Sequence, residues 1–80
     1  MIYEWDAANR SHIEAHGVSP ADCEAALEDK NAYTVPWPSY ELRWRTAGRS
    51  GARRLLVFWT VRGQAVRVVT AWWIGRRTRL

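Results

Sequence analysis

Three stretches in the second half of the chain have the hydrophobic pattern of β-strands. Residues 42–46 alternate strictly, which predicts one packed face and one polar face. The packed face would have Leu42, Trp44 and Thr46, and the polar face Glu41, Arg43 and Arg45. The run 55–61 is apolar at nearly every position, which is typical of a central strand covered on both faces. In the run 66–73, Val66, Val68 and Thr70 alternate with Arg67. We therefore expect three adjacent antiparallel strands.

Glycines mark the two connections between these strands. We expect turns at 48–51 and 62–64, because glycine adopts the positive φ that a tight turn requires. Further upstream, the segment 33–35 is either an edge strand or a loop, since Pro36 and Pro38 cannot donate to a ladder. After residue 73 the sequence predicts one frayed helical turn at most.

The N-terminal part predicts a short edge strand over 2–5, followed by two helices. Asp6 has the position of an N-cap for a helix from Ala7 to about His16, which Gly17 ends. Ser19 and Pro20 then begin a second helix that extends to about residue 27 or 28. The predicted fold is α+β, with an N-terminal strand and two helices packed on a three- to four-stranded antiparallel sheet.

The first predicted helix carries an unusual buried stripe. A helical wheel groups Ile13 with Asn9, His12 and His16. The two histidines are therefore expected to share hydrogen bonds at the helix–sheet interface, with a catalytic role as the alternative. Metal binding is disfavoured because a zinc site needs further ligands and no cysteine pair is present. On the second helix, Cys23 is expected to be a small buried residue.

The size and composition limit the classes of protein to which the chain can belong. Its 80 residues make one domain over 1–80, with a core in which six tryptophans supply much of the apolar surface. The lone cysteine permits no internal disulfide, and no apolar run reaches the length of a membrane span. With no dinucleotide or phosphate-loop motif, we expect a soluble cytoplasmic protein that binds no membrane and no cofactor.

The net charge of +4 conceals a strong asymmetry along the chain. All eight acidic residues precede residue 42, where Arg10 and Lys30 are the only bases, so this part carries −6. Residues 43–80 contain ten arginines and no acid, so they carry +10. A sheet with this excess attracts polyanions, and arginine binds phosphate with two hydrogen bonds and stacks on bases. A GC-rich genome would also favour arginine over lysine, but it would not separate the charges.

The order of motifs resembles the BrnT family of type II toxins over essentially the whole chain. The residues that carry the resemblance are Glu4-Trp5-Asp6, Asn9, His12-Ile13, His16-Gly17-Val18-Ser19-Pro20, Arg43, Arg45, Gly48-Arg49, Thr60, Arg62-Gly63, Arg67-Val68-Val69-Thr70-Ala71 and Arg76-Arg77. The resemblance implies a small RelE-like fold and a ribonuclease that halts translation. It also implies a cognate antitoxin that binds the toxin. The expected assemblies are a toxin homodimer or a toxin–antitoxin hetero-oligomer.

This chain departs from the pattern of the family near its C-terminal end. Trp72-Trp73 stands where a basic or polar pair is usual, and Thr78 replaces an acidic residue. If the active site includes that segment, cleavage is weakened here. The two tryptophans, together with Trp37, are then candidates for antitoxin binding, because exposed aromatic side chains anchor interfaces.

Metal-free RNA cleavage needs a base, an acid and cations around the phosphate. The candidate catalytic cations are Arg43, Arg45 and Arg67, and further RNA-binding candidates are Arg49, Arg62, Arg76 and Arg77. Residues 43–80 contain no histidine, lysine or carboxylate, so the candidates for acid and base are His12, His16, Tyr40 and Glu41.

Three functions remain open at this level. The first is a metal-independent ribonuclease toxin with RNA on the basic face of the sheet. The second is a catalytically inactive nucleic-acid-binding or antitoxin-complex subunit with the same fold. The third is a protein-interaction module that uses its tryptophans and has negligible affinity for RNA.

Overall fold

A five-stranded sheet organises the described part of the chain, residues 1–38 and 42–75, in the computed structural model. Two short helices precede four of its strands along the chain. The elements are β1 (Ile2–Tyr3), α1 (Ala7–Glu14), α2 (Pro20–Leu27), β2 (Tyr33–Pro36), β3 (Arg43–Ser50), β4 (Arg53–Arg62) and β5 (Ala65–Ile74).

The sheet is mixed, with strand order β1-β5-β4-β3-β2. Strands β2 to β5 pair with one another in antiparallel fashion. Strand β1 is parallel to β5, with Ile2 opposite Ala65 and Tyr3 opposite Val66. The α+β class is confirmed. The expected three to four antiparallel strands are too few, because the parallel contact of β1 joins residues that lie far apart in sequence.

Both helices begin at reciprocal capping boxes, as the sequence indicates. The Asp6 carboxylate accepts from the Asn9 backbone N–H at 3.0 Å, and the Asn9 side chain accepts from the Asp6 N–H at 2.8 Å. Ser19 and Asp22 form the same arrangement before α2. Helix α1 ends at Glu14, earlier than expected, and the chain then turns through Gly17 with φ 70°.

The core lies between the helices and one face of the sheet. From the sheet it takes Leu55, Val57, Val68 and Ala71, and from the helical side Ile13, Val18, Cys23 and Ala26. Strand β4 is central and contributes two fully buried side chains to this layer. The expected burial of Cys23 is confirmed, since its exposure is 0%.

Gly48 lies inside β3, and it allows α2 to approach the sheet closely. A methyl group at residue 48 would overlap the carbonyl oxygen of Ala26. The turn was expected to begin at residue 48, which is wrong because β3 continues to Ser50. The chain reverses direction at Gly51, which has a φ of 61°. The second turn is confirmed at Gly63, also with φ 61°.

Strand β3 begins one residue later than the alternation predicts. Leu42 precedes it with φ 53° and is 67% exposed, so its expected packing is wrong. Thr46 is packed on the helical side as expected, and its hydroxyl accepts from Trp59 Nε1 at 2.8 Å. The same hydroxyl forms a 2.7 Å hydrogen bond with Thr34 of β2, which the structure identifies as an edge strand.

The second face of the sheet, which we call the open face, lies opposite the core layer, and the chain around α1 borders it where the His16 ring lies 5.9 Å from the Trp72 ring. The expectation that β4 is covered on both faces is confirmed at Leu56, which is 7% exposed, whereas Phe58 is only half-buried. Leu56 and Phe58 of β4 point to the open face, where Trp72 lies opposite Leu56 in the register. The Phe58 ring contacts the rings of Trp37 and Trp72 on this face. The expected frayed turn after residue 73 falls mostly on 76–80, outside the described residues.

Candidate nucleic-acid interface

Three arginines that the sequence places on one face share the open face of the sheet. Arg43 of β3 pairs with Thr60 of β4, and Thr60 pairs with Arg67 of β5. Arg45 lies two residues further along β3, on the same side. A register irregularity between Phe58 and Trp59 shifts the alternation of β5 and brings Arg67 to this face.

The two layers of the molecule differ in charge. The helices carry three of the eight acidic residues, namely Glu14, Asp22 and Glu24. Strands β2 to β5 contain arginines but no acidic residue. The separation of charge along the sequence thus becomes a separation between layers, which directs positive potential to the open face.

Two of the candidate arginines are nevertheless paired with acids from the N-terminal segment. Arg67 donates to the Asp6 carboxylate at 2.8 and 3.2 Å and to Glu4 Oε1 at 3.0 Å. Arg62 lies 3.2 Å from the same Glu4 oxygen. The expectation that this face lacks acids to pair with its arginines is therefore wrong for Arg62 and Arg67. The folded chain brings in residues 4 and 6 through the contact of β1 with β5.

This network shifts the protonation equilibria of its members. The hydrogen bond from Arg67 lowers the pKa of the Asp6 carboxyl from 3.8 to about 2. The same bond raises the pKa of the Arg67 guanidinium above its usual value. Asp6 is thus ionised, and Arg67 is charged, across the whole physiological range.

His12 lies at the mouth of a groove between α1 and the sheet. The groove has a volume of about 220 Å³. Its functional lining combines one histidine with three arginines and a hydroxyl, namely His12, Arg43, Thr60, Arg62 and Arg67. A group capable of proton transfer and three cations therefore surround one space.

The interpretation of the histidines as buried structural residues is wrong. Only Asn9 and Ile13 of α1 are buried, while His12 and His16 are exposed. Asn9 takes the structural role, because its side chain completes the capping box and also donates to the Glu4 carbonyl at 2.9 Å. His16 lies elsewhere, with its ring 5.9 Å from that of Trp72. Residues 1–38 and 42–75 contain no cluster of three or more potential metal ligands.

The candidate tryptophans do not form one surface. Trp37 and Trp72 lie at the open face, on either side of Phe58, at ring-centroid distances of 4.9 and 4.8 Å from it. Trp73 points to the helical side, where its Nε1 donates to the Gly17 carbonyl at 3.1 Å. The guanidinium of Arg53 lies 4.0 Å above the Trp73 ring. Consecutive strand residues face opposite sides, and this alternation separates the two neighbours.

The remaining candidates are spread over the molecule. Arg45 lies 5.8 Å from the Trp37 ring centroid. Arg49 pairs with Arg54 at the far end of the sheet, and its backbone N–H donates to Asp29 at 2.9 Å. Four candidates lie outside the described residues: Tyr40, Glu41, Arg76 and Arg77.

Sequence reasoning missed Glu4 and Phe58 as members of this interface. Glu4 lies in an alternating segment beside the N-cap, and nothing local indicates that it meets β5. Phe58 belongs to the apolar run that was expected to be covered on both sides. The sequence could have indicated Phe58, because alternate residues of a strand face the same side of the sheet. Phe58 therefore shares a side of β4 with Thr60 and Arg62.

These features define a class of small α+β proteins with a helical layer on one face of the sheet and arginines on the other. The family model for the ribonuclease toxin BrnT of type II toxin–antitoxin systems matches residues 5–76. The chain belongs to this family, which implies RNA as its target and a cognate antitoxin as its partner. No curated protein gives a significant sequence match. Within the described residues, no helix is long and apolar enough to cross a bilayer.

Proposed function

We propose that this protein inhibits translation as a metal-independent endoribonuclease, with RNA bound across the open face. The observation that carries the proposal is the groove in which His12 of α1 meets Arg43, Arg62 and Arg67 of the sheet. The charge difference between the layers supports the same orientation of RNA. A RelE-like fold belongs to this proposal, as the resemblance of the sequence implies.

The groove supplies the chemical groups that catalyse RNA cleavage by the 2′-hydroxyl. The 2′-hydroxyl oxygen attacks the adjacent phosphorus and the bond to the 5′-oxygen breaks, so one proton leaves the nucleophile and one reaches the leaving group. His12 is the proton-transfer group within the groove. Arg43 stabilises the negative charge that builds on the phosphate oxygens.

Arg67 and Arg62 lie in a network with the carboxylates of Glu4 and Asp6. The Asp6 and Glu4 contacts fix the orientation of the Arg67 guanidinium, whose side chain is 16% exposed. Glu4 also contacts Arg62, so we propose it as the second proton-transfer group beside the groove. His16 and Glu41 remain weaker candidates: His16 contacts Trp72 outside the lining, and Glu41 is outside the described residues.

The antitoxin partner would neutralise the toxin most directly by covering the open face. Such a partner would present acidic residues to Arg43 and Arg45, both of which are exposed. We propose a toxin–antitoxin hetero-oligomer as the inhibited form, in which RNA and antitoxin compete for one surface.

The test is cleavage of a purified messenger-like RNA in EDTA by four proteins. We expect discrete fragments from the wild type. For His12→Gln and for Arg43→Gln we expect the cleavage rate to fall at least about 100-fold. Arg10→Gln is the matched control, because it removes an exposed cation from α1 outside the groove. Equal cleavage by wild type and His12→Gln would refute the assignment of His12.

A noncatalytic RNA-binding subunit is the second candidate, and the pairing of Arg67 with two carboxylates favours it. That protein would bind the same RNA with a steep dependence on salt and leave it intact. Intact RNA with both free protein and added ribosomes would therefore establish this candidate.

A further inference from the structure

The open face carries an aromatic feature that the cleavage chemistry does not use. We call three residues of this face the aromatic strip: Trp37, which directly follows β2, Phe58 in the middle of β4, and Trp72 near the end of β5. The Trp37 and Phe58 rings meet edge to face at 79°, and Phe58 and Trp72 are tilted by 36°. The three rings therefore form the floor and walls of a concave surface rather than a flat stack.

A cavity of about 200 Å³ lies over the aromatic strip. Besides the three rings, the cavity is lined by Arg43, Trp44, Trp59, Val69 and Thr70. Trp72 is 38% exposed although it is one of the largest apolar side chains of the molecule. The His16 ring lies 5.9 Å from the Trp72 ring, and the exposed part of Trp72 remains accessible to a ligand.

The chemistry around the cavity indicates an anionic ligand with planar apolar groups. Arg43 lines it, and the Arg45 guanidinium lies 5.8 Å from the Trp37 ring centroid. Strands β2 to β5 contribute no acidic residue to the same face. Single-stranded RNA combines phosphates with bases whose faces are free to stack on aromatic side chains.

We infer that the aromatic strip binds an unpaired nucleobase of the RNA, with the adjoining phosphates on Arg43 and Arg45. The inference rests on the proposed function, since it specifies single-stranded RNA as the substrate class of that site. Bases of a duplex are already stacked and paired, so they cannot enter the cavity. The strip thus selects for unpaired RNA independently of sequence, because every base has a face that stacks.

The experiment measures binding of noncleavable 2′-O-methyl hexanucleotides by fluorescence anisotropy. The first probe is a single strand, and the second is a strand of the same length with intact phosphates but abasic sugars. The third probe is a duplex. We expect the single strand to bind roughly 5- to 100-fold more tightly than the abasic probe. Trp72→Ala should remove that preference, and Trp72→Phe should retain most of it because the ring remains. Equal affinity for abasic and base-containing strands would overturn the inference.

The matched control is Tyr33→Ala, which removes an aromatic ring that is 70% exposed on the same face but outside the cavity. Its preference for bases should match that of the wild type. Circular dichroism of each variant checks that the fold is kept, and Trp72→Phe remains informative if Trp72→Ala is unstable. If Tyr33→Ala loses the preference as fully as Trp72→Ala, the cavity is not the binding site and the inference fails.

The outcomes separate this inference from the proposed function. Base-dependent binding without any cleavage would support the strip and contradict the ribonuclease proposal. Cleavage with no base dependence would keep the ribonuclease and contradict the strip. If Trp72→Ala leaves oligonucleotide binding unchanged and abolishes binding of the antitoxin, the strip is a protein-docking surface and the inference is wrong.

Discussion

Asp6 and Arg67 join the start of helix α1 to strand β5 through two hydrogen bonds of 2.8 and 3.2 Å. The same carboxylate caps α1 by accepting from the Asn9 backbone N–H. One side chain thus caps the start of a helix and orients a candidate catalytic arginine. The capping role and the ion-pair role can be separated experimentally, because asparagine caps helices as well as aspartate does.

Asp6→Asn should retain the cap and lose the ion pair. The folded-state pKa of about 2 lies below the value of 3.8 for the free group, so the unfolded chain binds the proton first as the pH falls. The wild type should therefore be more stable than Asp6→Asn above about pH 5, and this advantage should disappear between about pH 4 and pH 2. Urea unfolding followed by circular dichroism across this range measures the difference.

Asp6→Ala is the companion variant, because it removes the cap as well. It should cost about 1 kcal/mol more than Asp6→Asn, and this extra loss should not depend on pH. A difference between wild type and Asp6→Asn that stays constant from pH 7 to pH 2 would show that the ion pair does not stabilise the fold.

Gly48→Ala should lower the free energy of unfolding by about 1 to 3 kcal/mol, as overpacking in a close contact does. The added methyl group would overlap the Ala26 carbonyl oxygen, so α2 would have to move away from β3. Chemical denaturation measures the loss. Gly51→Asn is the control, because asparagine tolerates the positive φ of 61° at that turn and nothing lies near the added side chain. Equal stability of wild type and Gly48→Ala would contradict the close approach.

Trp73→Phe should destabilise the fold by about 1 kcal/mol, since it removes the hydrogen bond from Nε1 to the Gly17 carbonyl. Trp72→Phe should have a smaller effect, because that ring lies on the open face and is 38% exposed. Thermal or urea unfolding of the two variants compares neighbouring residues with the same substitution. The reverse order of stabilities would contradict their assignment to opposite faces.

Cys23 should resist alkylation in the folded protein. Burial raises the pKa of its thiol to about 12, so the reactive thiolate is scarce at neutral pH. Iodoacetamide at pH 8 should modify the unfolded chain in urea rapidly and the native protein only at the rate at which it opens. Mass spectrometry measures both rates. Rapid labelling without urea would show that the core around Cys23 is open.

Local chemistry made much of the fold predictable. The caps at Asp6 and Ser19 and the turn at Gly63 follow from rules that involve neighbours within a few residues. Alternation also placed Arg43 and Arg45 on one side of β3. The α+β class followed from combining these elements.

Contacts between distant residues were not predictable in the same way. The wheel placed His12 and His16 in the stripe of Ile13, but only Asn9 and Ile13 of this eight-residue helix are buried. The predicted face of Arg67 is confirmed, but Thr70 does not share the face of Val66 and Val68, because of an irregularity at Phe58 and Trp59 that the sequence does not mark. The acids at positions 4 and 6 reach the basic sheet only through the pairing of β1 with β5, which has no local signature.

The parallel pairing of Ile2 with Ala65 and of Tyr3 with Val66 also determines when the groove can exist during synthesis. The ribosome produces the acidic segment and both helices first, and Arg67 is added only after about four-fifths of the chain. Until then Asp6 and Glu4 lack their partner, and α1 lacks the strand against which His12 is positioned. A nascent chain therefore carries none of the assembled groove, and truncated translation products are expected to be harmless to the cell that makes them.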